Sequence, residues 1–194
     1  NGKITHHFSD NNKLSLSVYS GNDLLKAKAQ QVFDKGEHYD SDFKVQWGNL
    51  TTALTWNCQI TPKLSGSFTG AYSRNISMYD YVEVSRFFSD GEQTSMTGME
   101  RSNHSTIDDM GYRMEFDYRP STNHHIRFGS NYLHHIYHPQ NTASRNQTDR
   151  DTLSAESASS YKGNEVAFYA EDEMRLSSKV KLNTGLHYTL YQTD

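Results

Sequence analysis

The chain has a single cysteine, Cys58, and no run of about 18 consecutive apolar residues among its 194. One cysteine excludes an internal disulfide framework and a cysteine-based metal cluster, and the missing apolar run excludes helical membrane spans. Its 19 basic residues are outnumbered by 23 acidic ones and form no basic block, which argues against nucleic acid as a partner. With only three prolines and no low-complexity linker, the sequence predicts one unit over 1–194.

Several functional signatures are also missing. The first residues carry no basic region followed by an apolar one, so the sequence predicts no signal peptide. It contains no glycine-rich phosphate loop and no Gly-x-Ser-x-Gly elbow. Glu171 and Glu173 share one face of a strand with Arg175, a pattern typical of a charged ladder rather than a catalytic pair. We therefore expect no enzyme activity and no cofactor.

What the chain has in abundance is alternation of apolar and polar residues, the period of a β-strand. The last hairpin, Gly163 to Tyr191, shows it most clearly, because two runs of about 12 alternating residues flank Ser177. Strands of that length are long enough to cross a bilayer at a tilt. Thirteen tyrosines and a mean hydropathy of −0.85 fit an all-β chain with one thin apolar face.

The same pattern predicts an antiparallel up-and-down meander of about eight long strands. Short turns are expected near Asp10, Pro62, Ser121 and Ser177. They alternate with three long connections, predicted as loops, at 21–42, 77–106 and 139–162, and the first contains one or two expected helical turns at 23–31. In all eight strands the apolar residues fall on even numbers, which predicts one continuous apolar face. Short turns at one rim and long loops at the other are typical of a bacterial outer-membrane barrel.

Two stretches resemble the barrel domain of TonB-dependent outer-membrane receptors. They are WGNLTTALTWN at 47–57, followed by a turn with proline, and FYAEDE at 168–173, followed through a short turn by LNTGLHY at 182–188. The resemblance implies a segment of a transmembrane barrel of about 22 strands, filled by a plug domain. This segment would lack the plug, whose contact with the TonB complex it therefore could not make, and the closing C-terminal strand.

By the same resemblance, the chain would lie in the outer membrane, in contact with its lipid, as part of the wall of a nutrient transporter. The imported ligand would be a siderophore, haem, cobalamin, glycan or peptide. The predicted lumen-facing polar residues are Arg113, Glu115, Arg127, Asn131 and Glu171. The predicted ligand-binding residues, on the long second loop, are Tyr79, Tyr81, Phe87 and Phe88. The aromatics that suit the membrane interfaces are Tyr19, Trp56, Tyr72, Tyr118, Tyr132 and Tyr188.

Five histidines between His124 and His138 invite a metal-binding interpretation. Alternation places His125 and His135 on one face and the other three on the opposite face, with His134 and His138 about 13 Å apart along a strand. We therefore expect surface histidines and no metal. Asp172 falls on the apolar parity, which is tolerable only near a turn and the headgroup region.

Two alternatives remain open at this point. A soluble β-sandwich that binds a ligand such as carbohydrate would also have strands with one apolar face. A complete eight-stranded outer-membrane barrel would have the same number of strands.

Overall fold

In a computed structural model, residues 1–33, 36–147, 152–157 and 159–194 form a single antiparallel sheet. Its nine strands are β1 (Gly2–Ser9), β2 (Asn12–Phe33), β3 (Glu37–Thr61), β4 (Leu64–Ser89), β5 (Glu92–Ser121), β6 (His124–Gln147), β7 (Thr152–Ser157), β8 (Tyr161–Arg175) and β9 (Lys181–Thr193). Eight of them pair in chain order, and β7 pairs with β6 alone. The predicted all-β meander is confirmed. None of the described residues forms a helix that could span a membrane.

The predicted short turns lie where the alternation breaks. The chain reverses between Ser9 and Asn12, between Thr61 and Leu64, and between Ser121 and His124. The fourth reversal separates Arg175 from Lys181, where the Ser177 hydroxyl accepts hydrogen bonds from the backbone N–H groups of Lys179 and Val180. Polar turn residues satisfy backbone groups at these points, as expected.

The three predicted long loops are wrong where the structure describes them. Residues 21–33 and 37–42 continue β2 and β3, 77–89 and 92–106 continue β4 and β5, and 139–147 continue β6. The β4–β5 reversal uses Asp90 at φ 51° and Gly91 at φ 83°, so this connection is a tight hairpin turn. Residues 148–151 and 158 of the third connection lie outside the described residues.

The helical turns expected at 23–31 are also wrong, because this segment is strand β2 and pairs with β3 from Asn12↔Cys58 to Phe33↔Glu37. A helix of nine residues is marginal in water. Pairing with β3 satisfies its backbone groups instead.

The register keeps the parity of the sequence. Ile4↔Leu16, Leu16↔Leu54, Leu54↔Gly70 and Gly70↔Tyr112 all join even residues, and the row continues through Tyr132, Val166 and Leu190. Exceptions occur beside the turns and beyond a bulge between His104 and Thr106. Even-numbered side chains therefore share one face, the even face, and odd-numbered ones share the odd face. The predicted sharing of one parity by all strands is confirmed, and the even face is free of charged side chains over only part of its length.

The sheet is a single layer without a conventional core. In the part of the chain that the structure describes, Ala167 is the one buried hydrophobic residue. The accessible surface is 13738 Å², whereas a globular protein of 22.3 kDa exposes roughly 9,400 Å². The two-sheet packing of the sandwich alternative is absent from the described residues. Since β1 and β9 do not pair, the described strands also form no closed eight-stranded barrel.

Gly129 on β6 shows how tightly neighbouring strands fit. A Cβ at this position would collide with the Met114 carbonyl oxygen and lie 2.9 Å from Cε1 of Tyr169. Gly129 pairs with Tyr169 on β8, whose ring lies over the glycine. Gly70 on β4 is the opposite case, since a Cβ there would have no atom within 4 Å.

We expect Gly129→Ala to destabilise the chain by about 1–3 kcal/mol, because the added methyl group must displace backbone on β5 or the Tyr169 ring. Gly70→Ala is the matched control and should change stability by less than about 0.5 kcal/mol. Urea unfolding of both variants, followed by the circular dichroism of the strands, measures the difference. Equal midpoints for the two variants would contradict the packing described here.

Candidate functional site

The odd face forms a polar hollow near the short turns. The hollow has a volume of about 760 Å³ and is lined by residues of β1 to β6 and β8, from His7 to Glu171. In a flat sheet β1 and β8 would lie roughly 29 Å apart at the usual strand spacing. Because both strands border the same hollow, the sheet curves, and the odd face is its concave side.

The five residues predicted to face a lumen all lie on this odd face. Glu115 and Arg113 are on β5, Arg127 and Asn131 are on β6, and Glu171 is on β8. The structure brings them together on three consecutive strands, since Arg113 pairs with Asn131 and Arg127 pairs with Glu171.

Charged groups within this patch bond to one another across the strands. The Arg127 Nε and Glu171 Oε1 form an ion pair, 2.7 Å apart. The Tyr169 hydroxyl crosses Gly129 and donates to Glu115 Oε1 at 3.4 Å. At the rim, Asp117 contacts both the His125 Nε2 at 2.5 Å and the Arg119 Nε at 3.1 Å. A polar ligand or protein surface would meet a fixed pattern of positive and negative groups here.

The histidines separate between the two faces as alternation predicts. On the even face, His124 Nδ1 lies 2.7 Å from Asp172 Oδ2, and His134 Nδ1 lies 2.8 Å from Asn164 Oδ1. On the odd face, His135 Nδ1 lies 2.6 Å from Asp109 Oδ1. Each of these histidines has a different partner. Among the described residues, no three His, Cys, Asp or Glu side chains form a group that could hold a metal ion.

Beyond the row Ser73–Asp109–His135, the even face carries ion pairs and most aromatic rings lie on the odd face. On the even face, Lys28 binds Asp42 at 2.7 Å, Lys44 lies 3.5 Å from Asp80, and Arg86 pairs with Asp40. The hydrogen bond from Lys28 to Asp42 raises the pKa of that lysine. On the odd face, the same strands carry Leu25, Phe43, Val45, Trp47, Tyr79, Tyr81 and Phe87. The distal part of the concave side is therefore aromatic.

The predicted ligand-binding aromatics lie on strand β4 instead of a loop. Tyr79, Tyr81 and Phe87 belong to the distal odd face, where Tyr79 packs edge to face against Phe43 with 5.4 Å between ring centroids. Phe88 points to the other face and packs against His38 at 4.7 Å. The four residues therefore do not form one surface, and the three odd-numbered ones do.

A second group on the distal odd face was not anticipated from the sequence. The hydroxyls of Tyr39 and Tyr81 are 3.3 Å apart, and the Tyr81 hydroxyl donates to Glu83 Oε2 at 2.5 Å. Chiefly because of this bond to Glu83, the pKa of the Tyr81 phenol lies well above its ordinary value. The signal available in the sequence was the change of aromatic parity from even to odd near Trp47.

Removing the Arg127–Glu171 pair should cost little. Its side chains are 48% and 33% exposed, so water screens the attraction. We expect a double-mutant cycle of Arg127→Gln and Glu171→Gln to give a coupling energy of about 0.2–1 kcal/mol that declines with added salt. The control cycle combines Arg113→Gln with Glu171→Gln and should show no coupling. A coupling that salt leaves unchanged would contradict an exposed polar face.

Comparison with known proteins gives no relative from which a function could be transferred. No family model matches the chain, and neither a curated protein nor a solved structure matches it.

Proposed function

We propose that this chain is part of the wall of a bacterial outer-membrane β-barrel of the TonB-dependent receptor type, which imports a nutrient ligand. The even face would contact lipid, and the concave odd face would line the lumen. The turns between Ser9 and Asn12 and between Thr61 and Leu64 would lie at the periplasmic rim. The distal hairpins would project from the cell.

The observation that carries this proposal is a band of the even face that contains no Asp, Glu, Lys or Arg. The band covers the even positions of 14–18, 52–58, 66–72, 110–116, 128–132, 166–170 and 186–190, which the register aligns across seven strands, and the rows just outside it contain Arg74 with Asp108 on one side and Asp172 on the other. Residues 65–73 of β4, which lie between these two rows, measure about 27 Å along the strand. Nine to eleven tilted residues are what a bilayer requires.

Charged pairs border this band at both ends. Arg74 and Asp108, 3.6 Å apart, lie on the distal side, and His124 with Asp172 lies near the short turns. A charge costs much less at these depths than at the bilayer midplane. The expected position of Asp172 next to a turn agrees with its pairing to Ile126, two residues after β6 begins.

Aromatic side chains near the borders turn their polar ends away from the middle of the band. The Tyr72 hydroxyl donates to Asp108 at 2.6 Å, and the Tyr132 hydroxyl donates to Asn164 at 2.9 Å, both toward the distal border. The Trp56 indole N–H donates to Asn12 at 2.6 Å, toward the short turns. Aromatic rings with one wet end are typical of membrane interfaces.

The exposure of the even face supports lipid as its partner. Leu16, Leu54, Phe168 and Leu186 are 44%, 48%, 51% and 85% exposed, so a large apolar surface faces outward. Soluble monomers rarely expose an apolar patch larger than a few hundred Å². Lipid would remove this surface from water, and the remaining strands of the parent barrel would pair with the edges β1 and β9.

In this proposal the wall is a passive scaffold. Its polar lumen residues, Arg113, Glu115, Arg127, Asn131 and Glu171, would face the plug and the passing solute. The distal aromatics Tyr79, Tyr81 and Phe87 would contact the ligand at the entrance. The ligand would be a siderophore, haem, cobalamin, glycan or peptide, and transport energy would reach the barrel through a plug that contacts the TonB complex.

The two tryptophans of the chain give a direct test. Trp56 lies on the even face within the band and Trp47 lies on the distal odd face, yet their exposures in the sheet are nearly equal, 42% and 41%. We expect brominated phospholipid chains to quench the fluorescence of Trp56, measured in the Trp47→Phe variant in vesicles. They should leave Trp47, measured in the Trp56→Phe variant, unquenched, whereas aqueous acrylamide should quench it.

Equal quenching of both tryptophans by brominated lipid would contradict the assignment of the two faces. A chain that remains a folded monomer in buffer and ignores the vesicles would contradict the membrane location altogether. The circular dichroism of the strands in vesicles serves as the control for folding of both variants.

A further inference from the structure

A row of uncharged side chains crosses the concave side of the sheet, level with the distal border of the even-face band. All of its members are odd-numbered and therefore lie on the odd face. The register aligns them across five strands, β3 to β6 and β8, as Asn49, Asn75, Ile107, Tyr137 and Tyr161. We call this set the neutral row, because it contains no Asp, Glu, Lys, Arg or His.

Three aromatic rings on or beside the neutral row are open to solvent. Tyr137 and Tyr161 are 39% and 57% exposed, and Trp47, one row farther out on β3, is 41% exposed. None of the three packs against another ring in the part of the chain that the structure describes. Three strand spacings separate β3 from β6, so Trp47 and Tyr137 lie roughly 14 Å apart across the sheet. Two ring surfaces are therefore available at once to an extended ligand.

Two amide groups lie between these rings. Asn75 Nδ2 donates to Asn49 Oδ1 at 2.7 Å, which fixes the orientation of both side chains. The bond leaves the amide N–H groups of Asn49 and the amide oxygen of Asn75 without a partner among the described hydrogen bonds. A ligand hydroxyl both donates and accepts hydrogen bonds, so it can use both of these groups.

We propose that the neutral row, together with Trp47, binds a neutral oligosaccharide at the entrance of the lumen, an inference that rests on the proposed function. The C–H faces of the sugar rings would stack on Trp47, Tyr137 and Tyr161, since the face of an aromatic ring is electron-rich. Hydroxyl groups at the edges of the sugars would bond to Asn49 and Asn75. The roughly 14 Å between the outer rings exceeds one sugar unit, so the ligand is a chain of several units.

The charges around the neutral row distinguish this ligand from the other nutrient classes. Among the described residues, no Lys or Arg lies on the odd face in this row or in the two rows that flank it. The flanking rows contain two carboxylates, Asp23 opposite Trp47 and Asp109, which His135 contacts at 2.6 Å. Such a surface repels the carboxylates of haem and of many siderophores. With Asp109 already paired, Asp23 alone does not select a basic peptide.

The test uses the full chain, folded in vesicles, and four neutral hexasaccharides as probes: maltohexaose, cellohexaose, mannohexaose and xylohexaose. Saturation-transfer NMR detects aromatic rings that touch sugar C–H groups. The emission of Trp47, measured in the Trp56→Phe variant, is the second readout. We expect at least one probe to receive saturation and to shift this emission to shorter wavelength. The disaccharide of the same sugar should bind about tenfold more weakly, because it cannot reach both rings.

Substitutions then locate the binding surface. We expect Trp47→Ala and Tyr137→Ala each to weaken binding of the hexasaccharide by about tenfold, whereas Tyr137→Phe keeps the ring and should retain most of the affinity. Phe33→Ala is the matched control, because Phe33 is 49% exposed on the same face. It lies on β2 roughly 33 Å along the strand from the row of Trp47, and its removal should leave binding unchanged.

The proposal is overturned if none of the four hexasaccharides binds, or if hexagalacturonate or haemin, the anionic probes, binds more tightly than all of them. It is overturned too if Phe33→Ala weakens binding as much as Tyr137→Ala, which indicates non-specific stacking on exposed rings. Strand circular dichroism verifies that each variant is folded. Because quenching of Trp56 by brominated lipid reports the even face alone, the membrane location can hold while the oligosaccharide site fails, and the two results are read separately.

Discussion

The structure depends on a register in which residues of the same parity pair across every strand of the main path. Because successive side chains alternate between faces, one slip by a single residue would exchange the two faces of every strand beyond it. A slip between β5 and β6 would bring Arg127 onto the charge-free band and send Phe128 to the polar hollow. The cost of an arginine at the middle of a bilayer is about 2–4 kcal/mol. The alternation of the sequence and the pairing of the strands therefore specify each other, and the short turns set the starting point of each pairing.

The same register holds two zones that differ in which face carries the ion pairs and which carries the aromatic rings. In the band near the short turns, the even face is apolar and the odd face carries ion pairs such as Arg127–Glu171. Farther out, ion pairs such as Lys28–Asp42 lie on the even face, and aromatic rings occupy the odd face. The strand β4 contains 26 residues and is roughly 88 Å long, which is far more than a bilayer requires. In the membrane location that we propose, a change of solvent along the strand, from lipid to water, would account for the change on the even face.

The alternation was sufficient to predict the strand class, the short turns, the shared parity and the grouping of Arg113 with Glu115 on one face. It was not sufficient to predict the distal hairpins. Residues 21–33 are rich in lysine, alanine and glutamine, which are typical of helices and loops, and only pairing with β3 makes them a strand. The approach of Tyr39 to Tyr81 depends on the β3–β4 register, because these residues are 42 positions apart in sequence. A local sequence pattern covers only neighbouring residues, so it cannot show that these two side chains meet.

The distal aromatic rings lie on the concave side of the sheet. A sheet that stands in water on both sides has no solvent reason to collect its aromatic rings on one face. Such a preference is nevertheless observed, with Phe43 and Tyr79 on the concave side and the ion pair of Arg86 with Asp40 on the other. In the barrel that we propose, these rings would be covered by the opposite wall, by a ligand or by both. If that barrel has about 22 strands, the opposite wall would be too far away to pack against these rings. A ligand at the entrance is therefore the cover that this arrangement favours.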